Sequence, residues 1–315
     1  MRRFLVTGGA GFIGSHIAEA LVRRGDQVRV LDNLSTGKRA NMASFAKDIE
    51  FIEGDLQDLA AVAKAVKGVD GVFHQAALAS VPRSVEAPRD THAACVTGTL
   101  NLLDQARLAN VARVVYAASS SAYGDLPTAS KRESDLPLPL SPYAAAKLAG
   151  ELYCQAFFRT FGLPTVCLRY FNVFGPRQDP NSEYSAVIPK FITAILGGKR
   201  VVIFGDGRQS RDFTYIENVV QGNLLAFDAA GAAGQTVNLA NGRSTTLLEL
   251  LAAINHQLGM KVEPHFEPAR VGDVRDSLAD ISRARTVLGY DPRIELMEGL
   301  KRSIEYYKAT AAGRG

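Results

Sequence analysis

Seven residues near the N-terminus, Gly8-Gly9-Ala10-Gly11-Phe12-Ile13-Gly14, constrain the fold more than any other feature of the chain. They follow a short apolar run, Phe4–Thr7, and lead into a segment of helical period, Ser15–Arg24. Glycines between a strand and a helix let the backbone turn tightly and approach a pyrophosphate, whose charge is met by the helix N-terminus. A run of this kind also occurs as a plain strand–helix turn, so its context matters. Asp32 ends the second apolar run, Val28–Asp32, 18 residues after Gly14. A carboxylate there accepts hydrogen bonds from an adenine-ribose 2′-hydroxyl and repels a 2′-phosphate, which favours NAD over NADP. The cradle therefore comprises Gly8, Gly11, Phe12, Ile13 and Gly14, with Asp32, Asn33, Ser35, Thr36 and Gly37 continuing into the ribose pocket. Asp55 and Leu56, after a third run Phe51–Glu53, bracket the adenine. Gln75, Ala76 and Ala77, after a fourth run Val72–His74, supply small residues where the chain skirts the cofactor.

Two further apolar runs, Val114–Ser119 and Thr165–Arg169, complete an alternation of strands and helices up to about residue 170. That rhythm predicts an α/β fold, a doubly wound parallel sheet of Rossmann type. Helices fill the gaps, notably Thr91–Asn110 and Tyr143–Thr160, both long enough to pair with a second subunit as a four-helix bundle. After Phe171 the elements shorten and Gly- and Pro-rich turns multiply, which predicts a smaller C-terminal α/β lobe. The expected division is a dinucleotide domain over residues 1–170 and a substrate lobe over 171–315, with chain crossings between them allowed. The tail from Ala309 reads as frayed.

Composition removes several alternatives. With 315 residues, 47% hydrophobic and 22% charged, the chain has the makings of a large core and is not disordered. Its formal charge of +4 is scattered, which argues for small anionic ligands and against nucleic acid. Cys95, Cys154 and Cys167 are odd in number and lack CxxC spacing, so they suggest neither disulfides nor a zinc site and fit a reducing cytoplasm. His16, His74, His92, His256 and His265 lack metal-ligand spacing and read as structural or exposed; no metal is expected. The opening Met1-Arg2-Arg3 precedes an apolar run that stops at Thr7, which reads as a strand and not a leader. No run approaches the roughly 18 apolar residues of a membrane span.

Tyr143 and Lys147 are four apart on a predicted helix and so share a face. Alone the pair is ordinary. Ser119-Ser120-Ser121, however, ends a strand at the carboxyl edge of the sheet, where doubly wound folds bind ligands. A serine there holds a hydroxyl while the tyrosine oxygen removes its proton. The lysine and a nicotinamide charge both favour tyrosinate, and moving a phenol from about 10 to near 7 requires roughly 4 kcal/mol of differential interaction.

Four motifs taken together, Thr7 to Gly14, Ser119-Ser120-Ser121-Ala122-Tyr123-Gly124, Ser141-Pro142-Tyr143-Ala144-Ala145-Ala146-Lys147 and Arg169-Tyr170-Phe171-Asn172-Val173-Phe174-Gly175, resemble the extended short-chain dehydrogenase/reductase family, in particular its UDP-sugar 4-epimerases. Gln178 to Asn181, Ala186 to Lys190 and Ser210 to Phe213 are most similar to the UDP-N-acetylglucosamine 4-epimerases. The resemblance implies tightly bound NAD, a UDP-sugar substrate, and Ser119, Tyr143 and Lys147 as the catalytic group, with Tyr143, Lys147 and Tyr170 also against the cofactor. It implies Asn172, Arg211, Arg270 and Asp273 around the UDP portion, Ala79, Ser80, Ala186 and Ser277 around the sugar, and Ser119, Ser120, Ser121, Tyr143, Gln178 and Val187 as further substrate contacts. Ser277 stands where relatives confined to non-acetylated sugars carry a bulky tyrosine. One departure is Cys95, where the family usually has asparagine. The turn Ser120-Ser121-Ala122 lacks the acid that dehydratases and decarboxylases of the same fold need, so epimerisation leads; a lyase or a non-catalytic NAD-binding sensor are the alternatives.

Overall fold

The computed structural model describes residues 1–128, 130–180, 187–269 and 274–312. Six strands lie where the apolar runs predict them, each longer by one or two residues: β1 (Arg3–Thr7), β2 (Gln27–Asp32), β3 (Ile49–Glu53), β4 (Gly71–His74), β5 (Arg113–Ser119) and β6 (Thr165–Tyr170). A seventh, β7 (Gln235–Leu239), comes from well inside the second half of the chain and pairs in parallel with β6. The sheet runs β7-β6-β5-β4-β1-β2-β3, and every pairing in it is parallel. The order reverses at β1, which lies between β2 and β4, so the crevice above the ends of β1 and β4 is the switch point where such sheets bind ligands.

Alternation along the strands divides the core. Phe4 and Val6 point to one face with Val28, Val30, Phe73 and Val115, while Leu5 and Leu31 point to the other with Val72, Val114 and Tyr116. Helix Phe12–Arg23 and helix Ile216–Asp228 cover the first face; Leu59–Val66, Gly98–Leu108 and Pro142–Phe161 cover the second. The helix at 216–228 and β7 return the chain to the sheet after it has entered the second lobe.

That lobe is built from short pairings. Val201–Phe204 lies parallel to Pro264–Glu267, and Ser210–Arg211 is the centre of a three-strand patch between Thr245–Thr246 and Asp276–Ser277. Helices Val187–Leu196, Leu247–Leu258 and Leu296–Ala312 back these strands. The last corrects the expected fraying from Ala309: helix runs on to Ala312 because Leu300, Ile304 and Tyr307 are buried and the Tyr307 hydroxyl donates to the Gln178 carbonyl at 2.7 Å. Among the described residues no helix is long and apolar enough to cross a membrane.

The expected helix Thr91–Asn110 is interrupted. Pro88–His92 and Gly98–Leu108 are α-helical, but Ala93–Thr97 between them widens into a π turn. Such bulges are common at functional sites because the extra residue re-aims a side chain. This one carries Cys95.

Candidate active site

The first turn of the helix Phe12–Arg23 closes over the glycine loop with almost no free space. Gly8 has φ +68° and its Cα hydrogen lies where a methyl group would come within 2.7 Å of the Ala76 backbone. A methyl on Gly14 would lie 2.2 Å from the Gly8 carbonyl oxygen. Gly11 closes the loop by donating its N–H to that same oxygen at 3.0 Å. The loop faces a cleft of about 470 Å³ that runs along the switch point, lined here by Gly8, Gly11, Phe12, Ile13 and Gly14.

Asp32 sits at one end of this cleft, nearly buried, and its carboxylate accepts from Ala10 N at 2.9 Å and Leu34 N at 2.8 Å. Burial raises its pKa while the two amides oppose the rise. Each carboxylate oxygen keeps a lone pair for a ribose hydroxyl. Gly37 does not line the cleft; it is the packing contact behind Asp32, since a methyl there would touch Asp32 Oδ1 at 2.9 Å. Further along, Asn33 Nδ2 donates to Asp55 at 2.6 Å, and Gln57 N donates to the other oxygen at 2.8 Å. Against a burial cost that pushes upward, these bonds hold Asp55 below its usual value. At the opposite end stand Tyr143, Lys147 and Tyr170, the last tied through its hydroxyl to Gln75 at 3.1 Å and Asn223 at 2.9 Å. All the residues read from sequence as the dinucleotide site line this one cleft, Gly37 excepted. Sequence reasoning missed Gln57, from the loop after β3, and Leu78, Arg83, Asp90, Ala93 and Ala94, which come from the stretch between β4 and the π turn and from the π turn itself, and carry no motif.

The catalytic candidates meet because of how their elements start and stop. Ser141 caps the helix Pro142–Phe161, accepting from Ala144 N at 3.1 Å, with Pro142 in the first turn. Tyr143 therefore falls in the first turn and Lys147 one turn later. Ser119 ends β5 and hydrogen-bonds with Tyr143. Its hydroxyl oxygen also accepts from Ser121 N at 3.2 Å and Ser121 Oγ at 2.8 Å, which fixes the serine at the turn. The Lys147 ammonium lies 4.5 Å from the centre of the Tyr116 ring, and the Tyr116 hydroxyl donates to the Lys147 carbonyl at 3.2 Å.

Charge in this corner differs from the sequence expectation. Burial pushes the Tyr143 phenol well up, and the buried Cys95 thiol adds to it; the Ser119 hydrogen bond works the other way. Burial also lowers Lys147. The lysine rests on the Tyr116 ring, and burial is the largest influence on both groups. Fully buried His74 is structural, as expected: Nδ1 faces Thr7 Oγ1 at 2.7 Å, Nε2 faces Thr99 Oγ1 at 2.9 Å, and burial takes its pKa down to about 3. Cys95 is buried behind the cleft wall against Val96 and Ala146, with Ala77 and Ala149 packed on them, while Ala93 and Ala94 form the wall itself.

A second cavity, of about 560 Å³, opens in the C-terminal lobe. Asn172, Val187 and Arg211 line it, as read from sequence, with Phe213 of the same motif as Arg211, together with Phe191, Phe204 and Glu267, which no motif announces. Asn172 has φ +32°, a strained value that asparagine tolerates better than most side chains. Three expected sugar or UDP contacts have other engagements. Ser80 caps the helix Val81–Glu86 by accepting from Arg83 N at 3.2 Å, which leaves Ala79 alone to line the first cleft. Gln178 donates to the Val173 carbonyl at 3.1 Å and lines neither cavity. Ser277 pairs with Arg211 across the three-strand patch, half-buried, and also lines neither. Ser119, Ser120 and Ser121 stand half-buried at the end of β5. Ala186, Arg270 and Asp273 lie outside the described residues.

Residues 4–240 match the model of the NAD dependent epimerase/dehydratase family. The chain belongs to that family. It is 39% identical over 311 residues to a UDP-glucose 4-epimerase of Mycolicibacterium smegmatis, covering 97% of this chain and 98% of that one. Among solved structures, a UDP-N-acetylglucosamine 4-epimerase from Methanobrevibacter ruminantium, in complex with UDP-N-acetylmuramic acid, superposes with a TM-score of 0.94 at 41% identity over 98% and 99% of the two chains. A Thermus thermophilus UDP-glucose 4-epimerase complex with NAD superposes with a TM-score of 0.90 at 37% identity over 97% and 99%. The cofactor of this family is NAD, and the glycine cradle, the carboxylate at Asp32 and the cleft between them fit it.

Proposed function

We propose that the protein is a UDP-sugar 4-epimerase that interconverts UDP-N-acetylglucosamine and UDP-N-acetylgalactosamine, with UDP-glucose and UDP-galactose as accepted substrates. The observation that carries the reading is the position of Ser119, Tyr143 and Lys147 at the end of a dinucleotide cleft, with Arg211 and Asn172 in a second cavity sized for a nucleotide. NAD, when bound, accepts a hydride from the sugar carbon and returns it. Ser119 holds the 4-hydroxyl, and the Tyr143 oxygen takes the proton as that carbon is oxidised and gives it back at the end. Lys147, through its charge, favours the phenolate once the site is filled. Arg211 holds the diphosphate while the hexose turns to present its other face. Dehydration or decarboxylation would need an acid beside Ser119, and the turn after it carries Ser120, Ser121, Ala122 and Tyr123. Separating the products formed from UDP-N-acetylglucosamine tests the choice: an isomer supports it, whereas a dehydrated product, or no product, refutes it.

Because NAD is regenerated in each cycle, it is retained. Denaturing freshly purified protein is expected to release NAD, and added NADP is expected not to restore a stripped sample, since the 2′-phosphate meets the carboxylate of Asp32. Equal activation by both dinucleotides would refute that role for Asp32.

The preference for the acetylated sugar rests on small side chains at Ala79 and Ser277. Ser277 is the register partner of Arg211 in the strand patch, so a bulky side chain there would crowd the strand that carries Arg211. Ser277→Tyr is expected to cut kcat/KM for UDP-N-acetylglucosamine by about 10-fold or more, while UDP-glucose changes far less. Equal losses for both sugars would remove Ser277 from substrate choice. As a homodimer, the protein would bury Leu108, Leu152, Tyr153 and Phe161, which the single chain leaves exposed on the two helices suited to a four-helix bundle.

A further inference from the structure

Asp212 is the most thoroughly buried carboxylate beside the substrate lobe's cavity, with none of its surface exposed. Its partners are main-chain N–H groups: Asn241 at 2.9 Å on one oxygen, Gly242 at 2.9 Å and Ala279 at 3.3 Å on the other, with Arg243 N as a further donor. Its own N–H donates to the Ser277 carbonyl at 2.7 Å. A carboxylate taken out of water is costly unless such donors compensate it, and burial lifts its pKa to about 7 despite them.

The three segments that converge on Asp212 are the three strands of the patch around Arg211. Ser210–Arg211 is the central strand, residues 241–243 lead into Thr245–Thr246 on one side, and Ala279 follows Asp276–Ser277 on the other. Each outer strand is only two residues long and has few ladder hydrogen bonds of its own. Ser210 adds a bond from its hydroxyl to Asp276 at 2.5 Å, and the Arg211 guanidinium is steadied by the carbonyls of Ser210 at 2.8 Å and Arg275 at 3.0 Å. The strand that carries Arg211 into the cavity is thus held in place by the side chain of the next residue.

We infer that Asp212 is a positioning residue for nucleotide binding: it staples the 241–243 turn and the 276–279 segment to the strand of Arg211, and so sets where that guanidinium meets the diphosphate. This rests on the UDP-sugar reading of the second cavity. Asp212 touches no substrate and takes no part in proton transfer, so its loss acts on binding and leaves chemistry at saturation nearly intact.

The test uses the NAD-loaded protein with UDP as the probe, in wild type, Asp212→Asn, Arg211→Ala and the double variant. Asp212→Asn keeps the shape but turns an NH2 toward main-chain donors. It is expected to weaken UDP binding by about 10-fold or more, equivalent to about 1.4 kcal/mol, and to raise KM, with NAD content unchanged and kcat within about 3-fold. The double variant is expected to bind UDP no more than about 2-fold more weakly than Arg211→Ala, because both losses act through one contact. Unaltered UDP binding by Asp212→Asn, or losses that multiply in the double variant, overturns the inference alone. Failure of the wild type to bind UDP overturns the UDP-sugar reading and the inference with it. Should Asp212→Asn not fold, hydrogen exchange on the wild type decides. Amides at 241–243 and 279 that are protected, and slow further when UDP binds, support the staple; amides there that exchange freely and ignore UDP refute it.

Discussion

Replacing Tyr143 by phenylalanine is expected to lower kcat for UDP-N-acetylglucosamine by about 100-fold or more, roughly 2.7 kcal/mol of transition-state stabilisation, while UDP still binds. The substitution removes one oxygen and keeps the ring. Ser119, the partner of that oxygen, retains hydrogen bonds from Ser121 N and Ser121 Oγ, so no buried group is orphaned and the fold has little reason to weaken. The loss should appear in kcat and not in the UDP dissociation constant, since Tyr143 lies in the dinucleotide cleft and not in the cavity lined by Arg211. Turnover within about 3-fold of wild type would show that another group moves the proton.

The sheet was legible where strands are buried on both faces. Phe4–Thr7, Val28–Asp32 and Val114–Ser119 are short apolar runs bounded by turn residues, and each is an interior strand with a neighbour on both sides. β7 escaped because Gln235-Thr236-Val237-Asn238-Leu239 is half polar and lies at the edge of the sheet, where Asn238 serves a side-chain network: its amide donates to the Lys131 carbonyl at 2.9 Å, and its oxygen accepts from Tyr123 at 2.6 Å. Such a strand is specified by distant contacts and has no pattern of its own.

The glycine loop, Asp32 and the Ser–Tyr–Lys group were legible because each is a local sequence whose spacing the chemistry dictates. The lining of the second cavity was legible only in part: Asn172, Val187 and Arg211 sit in recognisable motifs, whereas Phe191 and Phe204 come from a separate helix and strand and read as ordinary core residues. The π turn at Cys95 was invisible for a different reason. A continuous helical period conceals one extra residue, and the contact it accompanies, Cys95 and Val96 against Ala146 of the helix Pro142–Phe161, is distant in sequence.

Gly14→Ala is expected to strip the cofactor from the protein. Alanine in place of a helical glycine normally stabilises by about 1 kcal/mol, and Gly14 lies within the helix Phe12–Arg23, so propensity alone predicts a gain. The added methyl would lie 2.2 Å from the Gly8 carbonyl oxygen and 2.9 Å from Gly9 Cα. Both are main-chain atoms with no rotamer to move aside, and the Gly8 carbonyl is held by Gly11 N, so the helix and the loop must part. The loop is the cradle, and parting it moves the very N–H groups that face the pyrophosphate. NAD recovered per chain should fall below about one-tenth of the wild-type amount, which corresponds to at least about 1.4 kcal/mol of lost binding, and the melting temperature should fall as well. Gly25→Ala separates this contact from simple backbone strain. Gly25 has φ +84° and nothing within 4 Å of the methyl position, so its alanine variant should cost about 1 kcal/mol of stability yet keep its NAD. A Gly14→Ala protein that keeps its full NAD and melts higher than wild type would show that propensity outweighs the contact, and that the loop after β1 is not what holds the dinucleotide.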